Sequence, residues 1–343
     1  MKKISVPWKT NFYYRNRLNP EYRAIYDALY DGYSAWQTTI PLPDGCTLNQ
    51  VSEVFYLVMF DNPIFFHVGR DIEIRSSFSA VLIADYRLTQ NEYAVLYRQV
   101  LNFVQKCQIT LSGSTPYEQV RSIHNSIIKH VEYYGKEEED SHNVTGTILK
   151  KKAVCESMAK AFKLICDSCQ IPSIVAFGKA LSDEGQNGTV VSEEGFHSNH
   201  AWNMVRLGSQ WYNIDVTFDL SHSIKDDDLH IRYDYFCRSD QVFAAEHRPT
   251  GKNLPHAPVD HDIYRIRKEY IQTSDELRRY VAECVKKGHR HFDFEYSPLI
   301  TEDISYIQKL IKSALDAVPY RSFTVFYNKK LHIATIKMVY KKD

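Results

Sequence analysis

The chain has 343 residues, 42 of them basic and 42 acidic, so its formal net charge is zero. Its length exceeds the roughly 100–200 residues of a typical domain, which predicts a core domain with one or two further segments. The balanced charge and the lack of an apolar run of roughly 18–20 residues lead us to expect neither a nucleic-acid partner nor a membrane span.

The cysteines indicate the environment of the protein. There are seven, and their spacing is not that of a disulfide framework. The N-terminus has no apolar stretch of the kind found in secretion signals. A reducing compartment fits these features, and we expect the protein to be cytoplasmic.

Cys166 and Cys169 lie one turn apart late in an apolar helix, with no second pair at zinc spacing. We therefore expect both cysteines to pack in the core, and we expect neither a metal nor another cofactor.

The first 114 residues are predicted to form a mixed α/β segment. Helices are expected to begin after Asn19, where proline follows a capping residue, and after Thr47. A third helix is expected over 89–107, and β-prone runs lie at 64–68, 72–75 and 80–83. This segment contains no catalytic motif.

Residues 115–262 are predicted to form the core domain and 263–343 a small α+β module. The core begins with a capping box, in which Thr115 and Glu118 start a helix with an apolar stripe. In the last segment the pattern alternates between strands and helices. The strands are expected at 264–270, 291–294, 322–327 and 331–339, and the helices at 274–287 and 301–317.

Cys155 has the surroundings of a reactive cysteine. The apolar residues after it repeat at intervals of three and four, which predicts a helix that begins at or just before Cys155. In the first turn of a helix, unpaired backbone N–H groups and the positive end of the macrodipole stabilise a thiolate. The same N–H groups could hold a developing oxyanion.

His200 and Asp215 lie on two β-prone runs that are joined at Gly208-Ser209, a favourable hairpin turn. If Leu207 pairs with Gln210, Asp215 lies opposite Trp202 and His200 lies opposite Thr217. The Cα atoms of His200 and Asp215 are then diagonal neighbours on one face, roughly 7–8 Å apart. A histidine held by a carboxylate is the arrangement that nucleophilic cysteine chemistry requires.

These residues resemble the bacterial transglutaminase-like proteins. The resemblance covers roughly 116–260 and rests on three motifs in order: Val154-Cys155 before a helix, His200-Ala-Trp-Asn203, and Asp215-Val-Thr-Phe-Asp219. It implies a papain-like α+β fold with the nucleophile helix packed on an antiparallel sheet. It also implies that Cys155 is the nucleophile, His200 the general base and acid, and Asp215 the carboxylate that orients His200. The family includes transglutaminases, proteases and amidases, so the implied function is acyl transfer from a peptide or protein amide through a thioester.

One position departs from the family pattern. Ser157 stands where the family commonly has glycine, and a side chain there could narrow the substrate groove. This departure, together with the extra segments on both sides of the core, motivates an alternative function, that of a catalytically weak or inactive peptide-binding scaffold.

Other candidate residues have two interpretations each. Trp202 either packs within the sheet or forms a wall of the groove beside Cys155. Asn143 is either the second oxyanion donor or a turn residue. Asp219 and His222 are interpreted as turn residues.

Overall fold

The computed structural model describes residues 4–76, 80–135, 139–181, 199–226, 228–251, 253–301, 303–315 and 320–340. Its buried apolar residues form two clusters. The larger one contains side chains of the N-terminal segment and of the predicted core domain together, with Ile263, Tyr264, Leu331 and Ile333 of the last segment, and the smaller one lies within 271–338. The first two predicted segments thus share one hydrophobic core, whereas the last has a core of its own. The boundary at 114/115 stays a prediction.

The N-terminal helices begin where capping side chains lie. Asn19 accepts a hydrogen bond from the backbone N–H of Tyr22, and Thr47 and Thr89 form capping boxes. The elements of this segment are α1 (Pro20–Ser34), β1 (Thr39–Pro41), α2 (Leu48–Asp61), β2 (Glu73–Ser76), β3 (Ala80–Ile83) and α3 (Gln90–Thr110). The three strands form an antiparallel sheet in the order β1-β3-β2. The β-prone run at 64–68 forms turns with one isolated bridge, so the strand expected there is wrong.

The core contains a five-stranded antiparallel sheet in the order β11-β8-β7-β6-β12. Its elements are α4 (Pro116–His130), β4 (Glu132–Tyr133), β5 (Lys152–Ala153), α5 (Cys155–Ser168), β6 (Ser173–Ala180), β7 (His200–Leu207), β8 (Gln210–Ile214), α6 (Val216–His222), β9 (Ile224–Lys225), β10 (Leu229–His230), β11 (Phe236–Arg238), α7 (Asp240–Phe243), β12 (His247–Pro249) and α8 (Ile263–Ile266).

A buried amide joins helix α5 to this sheet. Asn203 on β7 donates from its side-chain nitrogen to the carbonyl oxygen of Ala159 at 2.9 Å and to that of Ile174 at 3.0 Å. Because Ala159 belongs to α5 and Ile174 to β6, one side chain fixes the helix against two strands. The predicted α+β fold, with the helix that begins at Cys155 packed on an antiparallel sheet, is confirmed.

The C-terminal module is a four-stranded sheet, in the order β13-β14-β16-β15, with two helices. Its elements are β13 (Tyr270–Ile271), α9 (Ser274–Lys286), β14 (His291–Tyr296), α10 (Ile304–Leu315), β15 (Ser322–Asn328) and β16 (Ile333–Val339). The strand expected over 264–270 is wrong for most of its length. The carboxylate of Asp262 accepts hydrogen bonds from the backbone N–H groups of Tyr264 and Arg265, and this cap starts the short helix α8 instead.

Two further expectations were that the cysteines form no disulfide framework and that the chain has no membrane span. All seven cysteines are free thiols. In the part of the chain that the structure describes, none of the helices combines the length and the apolar character that crossing a membrane requires.

Arg238 connects the core sheet to the C-terminal module. Its guanidinium is completely buried at the end of β11 and donates to Glu295 of β14 at 2.6 Å. It also donates to the backbone carbonyl of Asp234 at 2.8 Å and lies 3.3 Å from the carboxylate of Asp262. Both carboxylates also contact the partly exposed guanidinium of Arg265, Asp262 at 2.6 Å and Glu295 at 3.3 Å, so Arg238 is the buried one of their two cations.

Replacing Arg238 is predicted to be strongly destabilising. Arg238→Met removes the buried one of the two cations that neutralise Glu295 and Asp262 and leaves only Arg265, and we expect the free energy of unfolding to fall by about 3 kcal/mol. Urea denaturation of the purified protein measures this loss. The matched control is Arg75→Met, which breaks an exposed pair with Glu73 and should cost about 0.5 kcal/mol or less. Equal losses in the two variants would contradict the role given to Arg238.

Candidate active site

Cys155 is the first residue of α5. Its neighbour Val154 occupies the N-cap position, where its apolar side chain cannot accept a hydrogen bond, and its backbone N–H donates to the carbonyl of Ser141 at 3.1 Å. By contrast, α1, α2, α3, α4, α6, α7, α8 and α9 are all capped by a side chain. The first-turn N–H groups of α5 are therefore left next to a half-buried thiol, where they can stabilise negative charge.

His200 contacts both of the other predicted catalytic residues. It is buried at the start of β7, and its Nε2 lies 2.6 Å from Oδ2 of Asp215. Cys155 also hydrogen-bonds to this imidazole, which leaves Nδ1 as the nitrogen that faces the thiol. Burial alone would lower the pKa of His200, but the charges of Asp215 and Cys155 and the hydrogen bonds to both raise it well above the ordinary value. The protonated imidazole is thus favoured between a carboxylate and a sulfur.

The hairpin register is confirmed in the strands but not beyond them. Leu207 pairs with Gln210 as expected, and the ladder ends where Asn203 pairs with Ile214. The ladder stops before Asp215, and Thr217 lies in helix α6, so the expected positions of Asp215 opposite Trp202 and of His200 opposite Thr217 are wrong. Sheet pairing stops because Asp215 starts a helix.

Asp215 is the N-cap of α6 as well as the partner of His200. Its Oδ1 accepts from the backbone N–H groups of Thr217 at 2.9 Å and Phe218 at 3.1 Å. Its Oδ2 accepts from His200 and, at 2.9 Å, from Nε2 of His247. Burial raises the pKa of Asp215, but the His200 charge and the histidine hydrogen bonds outweigh burial and lower the pKa overall. Asp215 is therefore held as a carboxylate.

His247 is a site residue that the sequence analysis missed. It lies on β12, the edge strand next to β6, and is buried. It follows Asp215 by 32 residues and belongs to no recognised motif, so no spacing signal pointed to it. Only the pairing of β12 with β6 brings it beside the hairpin.

His200, Asp215 and His247 also form a group with the donor types of a metal site. Their ligand atoms all lie within 4.8 Å of one another. However, the two histidine nitrogens lie 2.6 and 2.9 Å from the same carboxylate oxygen, whereas neighbouring ligands of a tetrahedral zinc ion are about 3.3 Å apart. These distances are those of direct hydrogen bonds, so the arrangement fits a hydrogen-bonded cluster better than a metal centre.

Ser157 and Asn143 lie together beside the first turn of α5. The Ser157 side chain is fully buried; its hydroxyl donates to the carbonyl of Asn143 and accepts from the backbone N–H of Thr147 at 3.0 Å. It therefore supports the loop before the helix and does not line an open groove. The side-chain oxygen of Asn143 accepts from the N–H of Thr145 at 3.0 Å, which is the contact of a turn residue.

Trp202 is buried in the sheet. Its indole N–H donates to Asn213 at 3.1 Å, and its ring lies 6.2 Å from the ring of His200, centroid to centroid. This position fits sheet packing and support of His200 more closely than a groove wall.

The interpretation of Asp219 and His222 as turn residues is wrong, because both lie in helix α6. Asp219 has the more important contacts. It is completely buried in α6, where Oδ2 lies 3.0 Å from Nε2 of His124 and Oδ1 accepts from the backbone N–H of Tyr235 at 2.9 Å. Burial raises the pKa of Asp219 to about 7. Because the carbonyl of Tyr235 in turn accepts from the N–H of Asp215 at 3.0 Å, Asp219 helps to position Asp215.

A pocket beside α5 has one wall from the N-terminal segment. It is lined by Asn143, by Glu156, which follows the candidate nucleophile, and by the side chains of Phe55, Tyr56, Met59, Phe66, Val68 and Arg70. Glu156 contacts Lys160 at 2.5 Å and His142 at 3.0 Å. Burial raises the pKa of Glu156, but these partners outweigh burial and lower it overall. Glu156 is therefore held as a carboxylate, paired with Lys160 and His142, next to Cys155 in the chain.

Removing the charge of Asp215 is predicted to lower the pKa of His200. Asp215→Asn deletes an interaction that favours the imidazolium, while burial continues to oppose it, and we expect a fall of at least about one pH unit. The histidine ring signals in an NMR titration measure it. The control is Asp293→Asn, which alters a carboxylate bonded to His230 and should leave His200 unchanged. A His200 titration that is the same in Asp215→Asn and in the unaltered protein would contradict the assignment.

Part of the chain is similar to a known protein family. Residues 105–216 match the Transglutaminase-like superfamily, a span that includes Cys155, His200 and Asp215. No curated protein matches the chain at a significant level.

Three solved structures are similar to parts of the chain. One is described as a TGase (11% identity, TM-score 0.31, 47% of this chain and 47% of that chain). Another is a candidate cysteine protease from Cytophaga hutchinsonii (16%, 0.29, 48% and 65%), and the third is a candidate protease from Parabacteroides distasonis (10%, 0.25, 41% and 35%). The chain thus covers less than two thirds of each of them. The family match thus assigns residues 105–216, with Cys155, His200 and Asp215 among them, to the transglutaminase-like superfamily.

Proposed function

We propose that the protein is a cysteine-dependent acyl-transfer enzyme that acts on peptide or protein amides. The observation that carries the proposal is that one buried imidazole, that of His200, contacts both Cys155 and Asp215. A nucleophile, a base and an orienting carboxylate in contact are the parts that covalent acyl transfer requires.

In the first half of the reaction, the sulfur of Cys155 attacks the amide carbonyl carbon. The carbonyl oxygen becomes an oxyanion, which the first-turn N–H groups of α5 are placed to stabilise. As the C–N bond breaks, the protonated His200 gives its proton to the departing amine. The products are a thioester on Cys155 and a free amine.

In the second half, His200 takes a proton from the acyl acceptor, which is water or an amine. The acceptor attacks the thioester carbonyl, the C–S bond breaks, and the sulfur of Cys155 leaves as a thiolate beside the reprotonated His200. Asp215 keeps Nε2 of the imidazole occupied throughout, so Nδ1 is the nitrogen that exchanges the proton.

The scaffold alternative loses one of the two observations that motivated it. Besides the extra segments on both sides of the core, it rested on Ser157 as a residue that narrows the groove, but this hydroxyl is buried against the loop at 143–147. Through these contacts Ser157 supports the loop before α5, next to the N–H groups that would stabilise an oxyanion. Such a role is compatible with catalysis.

Selective alkylation tests the proposal. At pH 7, iodoacetamide should modify Cys155 at least about tenfold faster than Cys46 or Cys169, because burial raises the pKa of both of the latter thiols. Peptide mass spectrometry gives the three rates in one sample. His200→Ala should remove most of the selectivity, whereas His256→Ala, which changes an exposed histidine, should leave it intact.

Two results would count against an enzyme. The first is a Cys155 rate equal to those of Cys46 and Cys169. The second is capture of peptides that is the same for the unaltered protein and for Cys155→Ala, without turnover by either, which would favour the scaffold.

A further inference from the structure

We propose that His247 is a positioning residue of this site: as a neutral imidazole, it donates a hydrogen bond to Asp215 and thereby limits how firmly Asp215 holds the proton of His200. This inference rests on the proposed function for its catalytic meaning. It goes beyond that function because it adds a fourth residue that no motif contains.

The first support is the geometry of the carboxylate. Oδ2 of Asp215 accepts from His200 at 2.6 Å and from His247 at 2.9 Å, while Oδ1 is bound by two backbone N–H groups. A carboxylate has about four acceptor sites, so all of them are used. The plane of the Asp215 carboxylate is therefore fixed from both sides, and His247 supplies one of the two contacts on the oxygen that faces His200.

The second support is the environment of the His247 ring. It lies 4.4 Å from the ring of Phe243, 4.9 Å from Phe218 and 5.1 Å from Trp202, measured between centroids. Its Nδ1 is buried and has no hydrogen-bond partner among the described residues. A proton on Nδ1 would place an unpaired N–H and a positive charge in this aromatic surround, which is costly. The neutral tautomer with its proton on Nε2 avoids that cost and makes the observed bond.

Burial outweighs the charges around His247 and leads to the same protonation state. The charged groups that act on it are Asp215 at the start of α6, His200 on β7 and Glu246, its neighbour in the chain. Glu246 lies 3.2 Å from the ammonium of Lys330. The ring of Tyr235 lies 5.7 Å from the ring of His247, centroid to centroid. Burial is the largest influence and lowers the pKa of His247, and repulsion from His200 acts in the same direction. Together they outweigh the hydrogen bond and charge of Asp215 and the charge of Glu246, which raise it. The two histidines on one carboxylate oxygen thus differ in charge.

The consequence concerns the basicity of the site. A neutral donor on Oδ2 stabilises the carboxylate and withdraws part of its negative charge from His200. His200 then gives up its proton to an amine leaving group more easily than it would if Asp215 bonded to His200 alone. Without His247, the carboxylate interacts more strongly with His200 and the imidazolium persists to higher pH.

Two substitutions separate this role from simple packing. His247→Phe keeps an aromatic ring but removes the donor, whereas His247→Gln keeps an N–H donor near the position of Nε2. We expect the Phe variant to raise the pH midpoint of the His200 ring titration in NMR by about one unit, and the Gln variant to stay within about 0.3 units of the unaltered protein. Iodoacetate alkylation of Cys155 across pH should show the same shift in its alkaline limb. Thermal unfolding of each variant checks that it is folded.

The outcomes are distinct. A His200 midpoint that is unchanged in the Phe variant, or that moves equally in the Phe and Gln variants, overturns the proposal. If the Phe variant does not fold, His247→Asn replaces it, since its shorter side chain withdraws the donor from Asp215, and the same shift is expected. A protein whose Cys155 shows no selective alkylation, but whose His200 midpoint still moves in the Phe variant, would reject the proposed enzyme and retain the role of His247.

Discussion

The carboxylate of Asp215 is the interaction on which the rest of the site depends. One oxygen starts helix α6 by accepting two backbone N–H groups, and the other accepts from His200 and His247. A single buried side chain therefore ends the strand, begins the helix and orients the imidazole. Its charge is acceptable in the interior because each acceptor site is matched by a donor.

Buried polar contacts bring the other motif residues into place. Asn203 fixes α5 against the sheet, and the hydroxyl of Ser157 holds the loop before that helix. Thr217 donates to the sulfur of Met158 at 3.7 Å, a contact between α6 and α5. Cys155 and His200 lie on separate elements. The motif residues next to them make the contacts that hold these elements, and therefore the two reactive groups, at a constant distance.

The sequence predicted most of the fold and the three central residues for physical reasons that are local. Capping side chains and apolar periodicity mark the helices, and the two-residue turn at Gly208-Ser209 sets the register that ends near His200. The exit of the chain at Asp215 was not predicted, because a strand pattern and a helix cap overlap there. His247 and the buried pair of Asp219 with His124 could not be predicted, since each depends on contacts between elements that are distant in the chain.

In the proposed reaction, Cys155 accepts an acyl group with the help of His200. Mass spectrometry of the intact protein after brief exposure to p-nitrophenyl acetate measures this transfer. We expect one acetyl group, located on Cys155, released by hydroxylamine and absent from both Cys155→Ala and His200→Ala. Acetylation of other residues only, or equal acetylation of Cys155 in the His200→Ala variant, would contradict it.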